Sequence, residues 1–404
     1  MSAVPGESSG GYSDIPGLRA VAPVHRFLRP VPVFICAYCV YNLLGLMPAP
    51  WLLEDAYSKS LPWQLFLLGL AGLVAGAFVS RLISTRTIRQ LSRGRAWKAR
   101  RAGVVFFALL FVCLAVTVVR NRGIPLLMGE ARFENSALMF NLSQLCGLWM
   151  MLKSIIDLEE GRLPNVVLCA VYIGCMACFG YRTPVIVFIL VMACHLVLFR
   201  LRRSLSVPII AASALALLLF ASVSSGFRVG QSYDKEAFFV AIDYQYVDDH
   251  PLIAPLVPAL SMFDFSQRTV SGIGDGLDDH MLGGLFLSNY ETLLPGTHWG
   301  ARNIVGDITS ARWVGGRPMS ITPTLQGALF IDFGPIGVAV GFLFLGIVLA
   351  VMYRIAAFQS GIGRFVFCYV FALALMSIHN GYWDLAFPFF VMFVLLAVKP
   401  ARRR

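Results

Sequence analysis

Ten apolar stretches, parted by short polar turns and by one long polar interval, constrain this chain more than any other feature. They run at about residues 31–47, 63–82, 102–119, 137–156, 164–179, 184–199, 207–224, 327–353, 364–376 and 385–398. Each is near the roughly 20 residues needed to cross a hydrocarbon core, and a few are short for it. With 58% hydrophobic and only 14% charged residues among 404, no soluble domain would use so much apolar surface. The expected fold is an all-α polytopic membrane protein with about ten transmembrane helices and one large extracytoplasmic loop.

The intervals complete the organisation. Residues 1–30, rich in Gly, Ser and Pro and containing Arg19, Arg26 and Arg29, lack the short apolar core of a signal peptide and read as a disordered cytoplasmic tail. Helices one to seven fill 31–224, the large loop 225–325, helices eight to ten 326–399, and a basic cytoplasmic tail 400–404.

Charge sets the orientation. The net charge of +11 could suggest nucleic acid, but the basic residues sit at the ends of apolar stretches rather than on a soluble face, so no nucleic-acid partner is expected. The densest run is Arg81, Arg86, Arg89, Arg93, Arg95, Lys98, Arg100 and Arg101, a cytoplasmic anchor for anionic headgroups. With both termini inside the cytoplasmic membrane, 22 of the 33 Lys and Arg residues fall on the inner side.

The large loop then faces outward and carries half of the 22 acidic residues, together with His250, His280 and His298. All nine cysteines lie in apolar stretches and none in this loop, so a disulfide framework is not expected. The pairs Cys36/Cys39 and Cys175/Cys178 have CxxC spacing, but a structural zinc site needs four ligands, and packing thiols are the plainer reading.

Arginines on the translocated side run against the positive-inside bias. They are Arg120, Arg122 and Arg132 after the third stretch, Arg182 between the fifth and sixth, and Arg228, Arg268, Arg302, Arg312 and Arg317 in the loop. Guanidinium offers five donors in a fixed fork that matches phosphate oxygens two at a time, so an anionic ligand is the physical candidate. Pairing with the loop's own carboxylates is the alternative. It serves Arg182 least, because Gly180-Tyr181-Arg182-Thr183-Pro184 is a very short turn at the membrane surface.

These residues also carry a resemblance. Gly123-Ile124-Pro125-Leu126-Leu127 followed by Arg132, the turn Gly180-Tyr181-Arg182-Thr183, Phe227-Arg228, and Thr322-Pro323 with Gly327-Ala328-Leu329-Phe330-Ile331-Asp332-Phe333-Gly334 and then Gly337 and Gly341 resemble, in order and spacing, the oligosaccharide repeat unit polymerases, the Wzy-type O-antigen polymerases. The resemblance implies a GT-C-like, metal-independent and cofactor-free glycosyltransferase. Such an enzyme joins sugar repeat units carried on polyprenyl pyrophosphate outside the cytoplasmic membrane, among membrane lipids and alongside a chain-length regulator.

Charge that develops on a leaving lipid pyrophosphate calls for positive donors in a poorly hydrated site, a role assigned first to Arg182 and Arg228. Arg132, with Arg122, Arg302 and Arg317, would contact substrate. A general base would assist the acceptor hydroxyl, and two triplets offer one: Asp248-Asp249-His250 and Asp278-Asp279-His280. Asp249 and His250 are the first choices for this role, and His280 is assigned to substrate binding. Both triplets also fit a solvated acidic loop. Gly274-Asp275-Gly276-Leu277-Asp278-Asp279 does not match an EF-hand, so no metal is expected.

Asp332, a further substrate-binding candidate, has two readings. One is a carboxylate held in hydrocarbon for function. The other is a wet residue on an interfacial helix that breaks at Gly334-Pro335. The run 379–384 reads as an interfacial aromatic anchor. No Walker A sequence is present, no internal repeat is apparent, and the spans are poor in Asp, Glu and Lys, which disfavours a transporter. An O-antigen ligase, or a lipid-linked oligosaccharide flippase or exporter, is the alternative.

Overall fold

The computed structural model describes residues 29–47, 57–92, 97–99, 103–127, 137–180, 183–200, 208, 210, 215, 249, 256–292, 299–310, 313–314, 317–318, 321–359, 361–382 and 386–400. In chain order the helices are α1 (Pro30–Leu46), α2 (Ser60–Leu82), α3 (Thr85–Ser92), α4 (Gly103–Asn121), α5 (Ala137–Glu159), α6 (Val166–Cys178) and α7 (Thr183–His195), then α8 (Val257–Gly276), α9 (Gly284–Glu291), α10 (Ala301–Ile308), α11 (Thr324–Ala357), α12 (Ile362–Asn380) and α13 (Ala386–Ala397). Helix α7 continues as a π-helical turn, Leu196–Arg200. Four short strands, β1 (Trp97–Ala99), β2 (Trp313–Val314), β3 (Arg317–Pro318) and β4 (Val398–Pro400), form two antiparallel pairs, β1 with β4 and β2 with β3.

Among the described residues, five helices are long and apolar enough to cross a membrane: α2, α4, α7 with its continuation, α11 and α12. Three more apolar helices are shorter: α1, α6 and residues 388–397 of α13. Helix α5 is as long as α2 but ends in Lys153, Asp157 and Glu159. Local signals set several ends. Pro30 opens α1, where its missing N–H costs nothing. The side chain of Asn165 caps α6 by accepting from the Leu168 N–H at 3.1 Å.

Inside a bilayer, lipid tails are as apolar as leucine, so helices associate by close packing rather than by escape from water. Helices α2 and α11 meet this way. A Cβ on Gly72 would stand 2.4 Å from the carbonyl oxygen of Ala339, one on Gly76 2.2 Å from that of Leu343, and one on Gly346 2.8 Å from that of Leu73. Backbone therefore lies on backbone along this seam. Tyr38 and Phe34 of α1, Leu65 and Leu73 of α2 and Phe342 of α11 fill the core beside it, all essentially unexposed.

One end of the bundle is basic. Arg354 at the close of α11 donates to the carbonyls of Ser80 (3.0 Å) and Ile83 (2.9 Å), stitching it to the end of α2. Glu159 of α5 pairs with Arg364 of α12 at 3.0 Å. Strand β1, inside the basic run, lies antiparallel to β4 with Lys98 opposite Lys399. Residues 97–99 of the basic run therefore lie beside residues 398–400.

The other end carries the interval read from sequence as a loop. Over its described residues it contains three helices and the β2–β3 pair. Helix α8 lies against α1, α2 and α11. A Cβ on Gly45 would come 2.4 Å from the Phe263 carbonyl oxygen, so α1 and α8 touch through their backbones. Ile273, Leu285, Ala301, Val305, Ile321, Ala328 and Ile331 form a small core that fixes α8, α9 and α10 to the start of α11. Where water is the alternative, each large side chain buried here contributes about 1.5–3 kcal/mol.

Candidate functional site

The site begins at a break in α11. Gly334 has φ 67° and ψ −164°, a region essentially restricted to glycine, and Pro335 follows it. In an unbroken helix the N–H of residue 335 would serve the Ile331 carbonyl, and proline has none to give. The turn before α9 supplies the missing donors. Met281 N–H reaches the Ile331 oxygen at 3.0 Å and Leu282 N–H the Asp332 oxygen at 2.9 Å.

The same turn reverses through Leu282 (φ 50°) and Gly283 (φ 95°) and opens α9 directly over Asp332. Leu285 N–H donates to Asp332 Oδ1 at 2.9 Å and Phe286 N–H to Oδ2 at 3.2 Å. Asp332 thus caps a helix that is not its own, satisfying two of the first-turn donors and placing its charge at the positive end of the helix dipole. It is fully buried. The helix breaks where the interfacial reading put it, but Asp332 is not wet, because the 281–286 turn covers it. Nor does it face hydrocarbon.

Tyr382, just beyond α12, donates to the Ala328 carbonyl at 3.1 Å. Burial pushes its phenol well above the usual range, and the neighbouring Asp332 carboxylate adds to the shift. His280 sits at the rim of this assembly and is exposed. Its Nε2 lies where a Cβ on Gly334 would come within 2.8 Å, and its ring meets Phe330 edge to face at 5.4 Å.

A second group lies beside it, between α1, α8, α11 and α12. Tyr38 donates its phenol hydrogen to Gln326 Oε1 at 2.5 Å. Asn42 Oδ1 accepts from Gln326 Nε2 at 2.9 Å and from Gln267 Nε2 at 3.2 Å. One turn away, the Tyr41 hydroxyl lies 2.7 Å from both Ser266 Oγ and His379 Nδ1. Polar side chains inside an apolar bundle are tolerated when they satisfy one another, and these tie the four helices into one arrangement.

Tyr57, Asp264 and Arg268 form a third group close by. Arg268 Nε donates to Asp264 Oδ2 at 2.5 Å with its guanidinium 5.1 Å from the centre of the Tyr57 ring. The Lys59 ammonium lies 5.3 Å from the same ring.

Of the residues singled out from sequence, the structure brings His280 and Asp332 together at the break of α11. Arg122, exposed with φ 54°, ends the turn that closes α4. Arg302 is half-buried on α10, where its carbonyl accepts from Ile321 N–H at 2.9 Å. Arg317 lies in β3 opposite Val314, at the loop end. Asp249 is exposed. Arg132, Arg182, Arg228 and His250 lie outside the described residues.

Tyr41, Ser266 and His379 were missed by sequence reasoning, which took 379–384 as an anchor. The available signal was Tyr38, Tyr41 and Asn42, three hydrogen-bonding residues at helical spacing on one face of an apolar span.

Together these features define a multi-pass membrane protein with polar side chains of α1, α8, α11 and α12 gathered towards one end of the bundle. The chain belongs to the O-antigen polymerase family: the family model described as "Putative O-antigen polymerase" matches residues 28–393. An uncharacterized protein of Methanocaldococcus jannaschii is 26% identical over 150 residues, 37% of this chain and 39% of that protein. The match therefore spans about two fifths of that relative's length. No solved structure matches this chain.

Proposed function

We propose that this protein is a polysaccharide repeat unit polymerase. It transfers a growing glycan from polyprenyl pyrophosphate to a lipid-linked acceptor repeat unit on the outer side of the cytoplasmic membrane. The observation that carries this reading is the family match over residues 28–393. The basic end, where Lys98 faces Lys399, is the cytoplasmic one, and the end bearing α8, α9 and α10 faces out. Nine described helices lie at nine of the ten apolar stretches, in support of a ten-span, GT-C-like bundle with both termini inside.

In the reaction the acceptor hydroxyl oxygen attacks the anomeric carbon of the donor, and the bond from that carbon to the pyrophosphate oxygen breaks. The electron pair leaves on the lipid pyrophosphate, and the hydroxyl proton passes to a base. Arg182 and Arg228 stabilise the departing charge, while Arg132, Arg122, Arg302 and Arg317 hold lipid phosphate and glycan. Asp332 acts by fixing the turn that carries His280 to the rim, since its own oxygens are engaged by Leu285 and Phe286.

The size distribution of lipid-linked and surface polysaccharide tests this in cells with the gene, without it, or carrying Arg182→Ala. Single repeat units at the surface in both defective strains are the expected result. Long lipid-linked chains left unattached would indicate a ligase instead, and repeat units trapped on the inner leaflet a flippase. An unchanged pattern would remove all three readings.

A further inference from the structure

We propose that the cavity between the end of α5 and the start of α6 binds a phospholipid whose headgroup carries both a phosphate and a primary ammonium. The proposal goes beyond the polymerase reading and does not depend on it.

The cavity encloses about 280 Å³, and its lining has a local origin. On α5, Met150, Lys153, Ser154 and Asp157 recur at helical spacing, so one face of the helix supplies an apolar wall, an ammonium, a hydroxyl and a carboxylate. The helix closes through Gly161 (φ 78°), with Arg162 N–H on the Asp157 carbonyl at 2.7 Å and Gly161 N–H on that of Leu158 at 3.1 Å. This closure holds Arg162 beside Asp157, and both line the cavity. Asn165, at the start of α6, uses its side-chain oxygen on Leu168 N–H and keeps its NH₂ donors for a ligand.

Charge decides the ligand. Lys153 is paired with Asp157, and Arg162 with Glu160. The cations are thus already balanced, and a bare anion would compete with the carboxylates for them. A headgroup with both charges preserves the balance: its phosphate takes donors of Lys153 and Arg162, and its ammonium donates to Asp157. Ammonium offers three N–H donors and guanidinium five, so each cation can hold a phosphate oxygen without releasing its carboxylate. Asp157 is buried, where a second opposite charge is least screened.

The mouth favours a lipid over a soluble compound. Leu163 lines the cavity and is 89% exposed, and Val166 and Val167 close by are exposed as well. Such side chains suit acyl chains, and Trp149 in the lining is the residue type that gathers at headgroup level. Helix α5 ends at the basic end, where Glu159 meets Arg364, so the lipid comes from the inner leaflet under the orientation proposed above.

The test uses the full chain in detergent, stripped of lipid, with phosphatidylethanolamine, phosphatidylcholine and phosphatidylglycerol of identical acyl chains. Native mass spectrometry counts the lipid retained. Expected is one phosphatidylethanolamine held about tenfold more tightly than either of the others, since a choline nitrogen has no N–H and phosphatidylglycerol has no ammonium. Arg162→Ala, at an exposed position and with its backbone bond kept, should weaken that binding about tenfold and leave the lipid-free thermal midpoint unchanged. Asp157→Asn should remove the preference over phosphatidylcholine. Soluble glycerophosphoethanolamine at millimolar concentration should not displace the lipid.

Wild type with no preference among the three lipids would overturn the proposal before any variant is made, so a variant that fails to fold cannot shield it. Undiminished binding to folded Arg162→Ala, or a preference kept by folded Asp157→Asn, would remove this cavity as the site. Displacement by the soluble headgroup would overturn the lipid as its occupant.

Discussion

Asp332 Oδ1 accepts the backbone N–H of Leu285 at 2.9 Å, so a carboxylate of one helix closes the first turn of another 47 residues away. Phe286 N–H occupies the second oxygen. Asp332→Asn would turn one acceptor into a donor facing an N–H, and Asp332→Ala would leave both donors unserved. Either loss costs about 1–3 kcal/mol for a buried group. Expected are a lower unfolding midpoint in detergent and faster hydrogen exchange at the amides of Leu285 and Phe286, with the amides of α2 unchanged. Unaltered exchange at those two amides would refute the capping role.

Gly334→Ala separates two costs at the break. The backbone region of Gly334 strains any residue with a Cβ by about 1–3 kcal/mol. The added methyl would also meet His280 Nε2 at 2.8 Å. A double-mutant cycle with His280→Ala should recover only the contact part, leaving the variant destabilised. Full recovery would mean that the side-chain clash alone matters and that the backbone conformation does not.

Several of these relationships were legible in the chain and others were not, for a physical reason. Length and apolarity are local properties, so α2, α4, α11 and α12 stand where their apolar stretches do, and the break at Gly334-Pro335 is written in two adjacent residues. Helix α8 is different. Its buried Asp264, Ser266, Gln267 and Ser271 read as loop because partners of theirs, Tyr57, Tyr41, Asn42 and Ser58, lie more than 200 residues away along the chain. Asp332 shows the same limit. Sequence made it conspicuous, but its burial depends on the 281–286 turn folding over it. His379 was taken for an anchor because nothing near it in sequence names Tyr41 or Ser266.

The seam between α2 and α11 predicts an unequal response to two glycine substitutions. Gly76→Ala would put a Cβ 2.2 Å from the Leu343 carbonyl oxygen, which only separation of the helices can relieve. Gly174→Ala in α6 meets nothing within 4 Å. In a helix interior, alanine in place of glycine otherwise favours folding by about 0.5–1 kcal/mol. Gly76→Ala should therefore lower the thermal midpoint and the yield of monodisperse protein, while Gly174→Ala leaves both equal or improved. Equal behaviour of the two would show that backbone contact along the seam is not what joins these helices.

At the basic end, Glu159 and Arg364 form a pair in which each side chain is only 12% exposed. Glu159 also accepts the Gly361 N–H, and the Arg364 guanidinium lies 5.1 Å from the centre of the Phe199 ring, so α5, the end of α7 and the start of α12 meet here. Taking two charges out of water is expensive, and a pair so placed adds little net stability over an apolar substitute. Removing one partner is another matter, because it leaves an uncompensated buried charge at a cost of about 3–5 kcal/mol. Glu159→Leu and Arg364→Met should each destabilise by that order. The pair Glu159→Leu with Arg364→Met should lose less than the two single losses combined. Burial also shields the pair from counterions, so raising the salt concentration should move the wild-type midpoint little. The four unfolding midpoints, compared as a cycle at low and high salt, check both statements. Additive losses that shrink with salt would identify the pair as an exposed and weak one.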